Sequence, residues 1–84
     1  MKEQIKRWII DWFDNNTEAE LNEILDSFGS NYFEMGFIDS FKFMTLVSNI
    51  EEYFDIEFSN EEFQDRKFAT MNGLMEIIVR KQNS

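Results

Sequence analysis

Apolar residues recur at helical spacing from the first residues of the chain. Ile5, Trp8, Ile9, Trp12 and Phe13 fall at i, i+3, i+4, i+7 and i+8, which puts them on one helix face. Lys2, Lys6 and Arg7 lie off that stripe. Asn15 and Asn16 end the pattern, since their short side chains bond to nearby backbone and favour turns. Thr17 with Glu20 after it predicts a capping box for the next element. Behind it Leu21, Ile24, Leu25 and Phe28 keep helical spacing, which suits either a short helix or a loop pinned by apolar anchors. Gly29, Ser30 and Asn31 then break the chain.

From Tyr32 to Asp39 no period holds, and Gly36 suggests a turn. Asp39 stands where an N-cap belongs, ahead of a run from Ser40 to Phe54 that puts Phe43, Leu46, Val47, Ile50 and Phe54 on one face. Glu51 and Glu52 lie outside that face. Residues 55–60 read as a connection, with Ser59 or Asn60 able to cap a short helical turn through Phe63. Thr70 caps a last helix whose buried stripe is Met71, Leu74, Met75, Ile77 and Ile78, and Arg80 and Lys81 suit the negative C-terminal end of its dipole. No alternating stretch is long enough to compete as a strand, so the pattern predicts an all-α bundle.

Composition narrows what such a bundle can do. The 84 residues allow a single small domain, 1–84, with a thin core. At 17% aromatic, with ten Phe, the chain is too rich in large apolar rings for a disordered acidic tail. Seventeen acids against eight Lys or Arg give a net charge of −9, which argues against binding nucleic acid or inserting into an anionic membrane. The chain has no Cys and no His, so disulfides, thiol nucleophiles and the usual general base are excluded. No stretch approaches the roughly 18 apolar residues of a membrane span, and no apolar segment of a secretory signal follows the basic start. The expectation is a soluble, cytoplasmic domain that is not itself an enzyme. The acids Asp11, Asp14, Glu18 and Glu20 lack the alternation and central Gly of a calcium loop, and read as a solvated helix end.

Chemistry concentrates at Gly36-Phe37-Ile38-Asp39-Ser40-Phe41. Ser40 is expected in the first turn of a helix, beside backbone N–H groups that favour an attached anion. Taken alone, Asp39-Ser40 is also how an ordinary helix starts. The neighbouring residues add to this. Gly36, Asp39, Ser40, Phe41, Leu46, Val47, Ile50, Glu51, Glu52 and Phe54 together resemble the acyl carrier protein family, and the likeness continues through Asp55-Ile56-Glu57-Phe58 and Phe68-Ala69-Thr70. Gly36 stands four residues before Ser40, where fatty-acid carriers place it three before, and Phe41 replaces their usual Leu. The pattern looks closer to D-alanyl carriers and stand-alone carriers of secondary metabolism.

The resemblance implies a small four-helix bundle with a long first loop. It also implies phosphopantetheine on Ser40, with Asp39 as the helix cap read by a phosphopantetheinyl transferase. The arm's thiol would carry acyl or aminoacyl groups as thioesters between a loading ligase and downstream biosynthetic enzymes, the carrier itself being a monomer. Phe41 and Met44 are expected to give the apolar centre of partner contacts, and Glu51 and Glu52, within the acid-rich stretch 51–65, to steer basic partners. Carriers of long chains hide them between the helices. Phe43, Phe54, Phe63, Phe68, Trp8 and Trp12 are expected to crowd this core, which favours a short or polar cargo, with Met44, Met71 and Met75 as the sources of slack. The alternative is an unmodified acidic adaptor that binds a basic or amphipathic partner.

Overall fold

The computed structural model describes residues 2–83. Its helices are α1 (Lys2–Asn16), α2 (Leu21–Asp26), α3 (Ser40–Phe54), α4 (Asn60–Phe63) and α5 (Met71–Gln82), with a 3-10 turn at Arg66–Ala69 leading into α5. Among the described residues no strand forms, and an isolated antiparallel bridge joins Asn31 to Thr70. The fold is all-α, as the periodicity predicts. The long connection between α1 and α3 carries α2, which settles the stretch that the sequence left open.

Each helix starts and stops for a local reason. Helix α1 buries Ile5, Ile9, Trp12 and Phe13, while Trp8 stays half-buried against Tyr53 and Phe54 with ring centroids 5.6 and 5.5 Å away. Thr17 does not open α2, contrary to the capping-box expectation. Its hydroxyl donates instead to the Phe13 carbonyl at 2.6 Å and so closes α1. The Phe13 carbonyl, which also accepts the Thr17 N–H at 3.1 Å, lies within reach of a hydroxyl four residues on and takes both donors. Glu20 becomes the N-cap of α2, and the Glu23 carboxylate accepts the Glu20 N–H at 3.2 Å. Ile24 and Phe28 are buried, but Leu21 and Leu25 are exposed.

Helix α3 buries Leu46, Val47 and Ile50, and ends at Asp55, a left-handed residue at φ 55°. Of the two candidate caps for α4, Ser59 is the one used. Its hydroxyl accepts the Glu62 N–H at 3.3 Å, and the Glu62 carboxylate accepts the Ser59 N–H at 2.7 Å. The same carboxylate meets Lys81 of α5 at 2.8 Å. Thr70 caps α5 by accepting the Gly73 N–H at 2.9 Å, and the expected stripe of Met71, Leu74, Met75, Ile77 and Ile78 is buried throughout. A Cβ on Gly73 would fall 1.7 Å from the Lys67 carbonyl oxygen, so only glycine lets the 3-10 turn lie against α5.

The connection after α2 is stitched to the start of α5. Tyr32 N–H donates to the Ala69 carbonyl at 3.0 Å, and Asn72 N–H to the Phe28 carbonyl at 3.0 Å. The Tyr32 hydroxyl donates to the Phe68 carbonyl, and the ring is fully buried. The aromatic core differs from the expected one. Of the six rings expected to fill it, only Trp12 and Phe68 are buried; Trp8, Phe43 and Phe54 are half-buried and Phe63 is exposed at its edge. Aliphatic side chains from α1, α3 and α5 fill the centre together with Phe13, Phe28 and Tyr32. The other rings are wide enough to cover the seams between helices, and short helices leave those seams partly open.

Candidate functional site

The loop from Tyr32 to Asp39 sets up Ser40. Met35 N–H donates to the Asn31 carbonyl and Gly36 N–H to the Phe33 carbonyl, so the chain folds tightly on itself. Gly36 lies at φ 77°, a conformation that L side chains rarely adopt. Ile38 is then buried and anchors the loop, and Asp39 returns to extended backbone. The Asp39 carboxylate accepts the Lys42 N–H at 2.9 Å, as an N-cap should.

Ser40 is therefore exposed in the first turn of a 15-residue helix. Among the described residues, the N–H groups of Ser40 and Phe41 have no protein acceptor. Free amides and the positive end of the helix dipole suit a phosphate ester on the serine oxygen. Lys42 follows Ser40 closely in the same turn, its ammonium donating to the Asn16 carbonyl. The residues present thus fit a phosphodiester-linked group, with its charge accommodated and its path to solvent open.

The remaining candidates are arranged unevenly around this serine. Phe41 is 80% and Met44 60% exposed, very high for such large apolar side chains, and both lie within the first two turns of α3. Glu52 is exposed near the far end of the helix. Glu51 is half-buried, and one of its carboxylate oxygens accepts the Phe58 N–H at 3.0 Å, which holds the connection after α3. Its carboxylate is thus already engaged within the fold, whereas Glu52, Asp55, Glu57, Glu61 and Asp65 face solvent.

Two flanks of the serine differ in kind. On the α4 side, rings form a connected array. Phe43 lies 5.2 Å from Phe33 and 5.7 Å from Phe68, while Phe58 lies 4.8 Å and Phe63 5.0 Å from Phe68. On the α2 side lies a cleft of about 590 Å³, which sequence reasoning missed because it is built by loops without a period. Its walls include Glu18, Glu23, Met35, Phe37, Ile38 and Lys42. A larger groove of about 880 Å³, at Trp8, Tyr53 and Phe54, belongs to the other end of α3. At 1.5 Å per residue that end is about 20 Å from Ser40, so the groove takes no part in chemistry at the serine.

Residues 13–78 match the family model described as the phosphopantetheine attachment site. The chain is also 35% identical over 77 residues to a protein named acyl carrier protein homolog from Mycoplasmopsis pulmonis (strain UAB CTIP), a match that covers 92% of this chain and 94% of that protein. No solved structure matches the chain. An all-α fold, a match across most of the chain and a full-length likeness to a carrier agree, and the chain belongs to the acyl carrier protein family of phosphopantetheine-bearing domains.

Proposed function

We propose that Ser40 is the attachment residue, and that residues 1–84 form a single, monomeric, cytoplasmic carrier that brings a thioester-linked acyl or aminoacyl group to partner enzymes. The observation that carries this reading is the exposed serine in the first turn of α3, with Asp39 capping the helix and free amides beside it. When bound, phosphopantetheine supplies a flexible arm whose thiol holds the cargo. Ser40 Oγ gives up its proton and forms a bond to phosphorus, as the pyrophosphate bond of coenzyme A breaks and the adenosine bisphosphate half leaves. Asp39 serves this step indirectly: by capping α3 it fixes the backbone that presents Ser40 to the transferase. Nothing in the chain needs to catalyse, which agrees with its lack of His and Cys and with the non-catalytic character of the family.

Phe41 and Met44 suit the apolar centre of a docking contact for the transferase and for a loading ligase. Glu52 and the solvent-facing acids after it suit a rim that attracts basic patches, with Glu51 contributing through the loop it holds. Incubation of the protein with coenzyme A and a broad-specificity phosphopantetheinyl transferase tests the assignment by intact mass. The wild type is expected to gain one phosphopantetheine and Ser40→Ala none. A gain on Ser40→Ala would move the site elsewhere, and no gain on the wild type would favour an unmodified acidic adaptor.

A further inference from the structure

We infer that Met44 is a reversible oxidation site, and that its sulfoxide withdraws Ser40 from docking enzymes. This rests on the carrier reading and adds a means of regulation to the same site. Four methionines fall among the described residues, and they divide sharply. Met71 and Met75 are buried within α5, whereas Met35 and Met44 are 46% and 60% exposed. A thioether reacts only where an oxidant reaches its sulfur, so burial shields the first pair and leaves the second open. The unmodified chain has no Cys to compete for the oxidant. Both exposed sulfurs border the serine. Met35 lines the cleft that reaches Asp39. Met44 follows Ser40 by four residues and Phe41 by three, so it shares a face of α3 with the serine and with its companion in the proposed docking contact.

The chemistry is a two-electron oxidation by a peroxide. The Met44 sulfur lone pair attacks one oxygen of hydrogen peroxide, an S–O bond forms as the O–O bond breaks, and the second oxygen leaves as water. The product puts a polar S=O group where docking needs an apolar side chain. Covering that oxygen with an apolar partner surface strips its water without giving it a donor, which costs free energy. Met44 lies outside the buried core, so the change falls on docking rather than on the fold. A sulfoxide reductase reverses it: two thiols are oxidised to a disulfide, and the oxygen leaves as water.

Titration of the unmodified full chain with hydrogen peroxide, followed by peptide mass mapping, reads the order of oxidation. Met44 and Met35 are expected to become sulfoxides well before Met71 and Met75, and equal rates at all four would overturn the selectivity. Once peroxide is removed, coenzyme A and a broad-specificity phosphopantetheinyl transferase are added. Each protein's loading rate is then compared with its own rate before oxidation. The wild type is expected to slow about tenfold, as the loss of one apolar hot spot would give. Reductases for the two sulfoxide epimers should restore the rate. Met44→Leu, whatever its starting rate, should keep that rate after oxidation, whereas Met35→Leu should slow as the wild type does. An undiminished wild-type rate with Met44 fully oxidised would overturn the proposal, and so would equal slowing of Met44→Leu. Loss of the helical circular dichroism signal on oxidation would trace the slowing to unfolding and overturn it as well. Failure of the unoxidised wild type to load would instead strike the carrier reading itself, while the order of oxidation stays readable without any transferase.

Discussion

Removing the Tyr32 hydroxyl would strip the buried Phe68 carbonyl of its donor while leaving the ring in place against Phe13, 5.5 Å away. Tyr32→Phe is therefore expected to lower stability by about 1–3 kcal/mol, the cost of an unsatisfied buried polar group, read as a shift in a urea midpoint. Burial also pushes the phenol well above its ordinary value of 10.0. A folded-state pKa raised above the unfolded one means full stability below pH 10.0, lost as the pH rises beyond it, because unfolding frees the phenol to ionise. Gly73 offers a second test at this scale. A methyl group there meets backbone rather than a movable side chain, so Gly73→Ala should cost at least the roughly 1–3 kcal/mol of an overpacked core and lower the melting temperature accordingly. Neither residue was legible in the sequence. The carbonyl that Tyr32 engages lies 36 residues away in the chain, and the chain around it has no period. Asp39 and Ser40 were legible because a helix cap is decided within a few residues.

Among the α-helices α4 is the shortest, and Glu62 ties it to α5. Partial burial raises the pKa of this carboxyl, but the bonds to Lys81 and Ser59 lower it further, and it ends below its ordinary value of 4.5. A depressed folded-state value means that the contribution is present above pH 4.5 and disappears as the pH falls through the folded pKa. Below pH 4.5 the wild type should thus lose thermal stability more steeply than Glu62→Gln, with parallel curves counting against the coupling. The same element shows how far periodicity can be read. Ser59-x-x-Glu62 and Thr17-x-x-Glu20 both had the form of a capping box, yet only the first is one. What separates them is the helix immediately before Thr17, whose Phe13 carbonyl competes for the hydroxyl. Helix faces followed from spacing alone, whereas the burial of individual rings depended on seams between helices that spacing does not describe.

For the molecule as a whole, a charge of −9 would act over distance where Phe41 and Met44, in the proposed docking contact, would act at close range. Association with a basic partner should slow as salt rises past physiological strength, where the Debye length drops below about 8 Å. Stopped-flow rates that ignore salt would leave docking to the two apolar side chains. Independently of charge, the stitching of Phe28 and Tyr32 to the start of α5 divides the molecule mechanically. The chain is clamped at Tyr32 by bonds to the 3-10 turn and again at Asp39 by the helix cap. The span between these clamps beside Ser40 is short, and the buried Ile38 pins it further. A cargo arm needs a pivot that does not drift, because travel between two enzymes must be repeatable from the same origin. With Ser40 as the proposed attachment point, the travel would belong to the torsions of the arm.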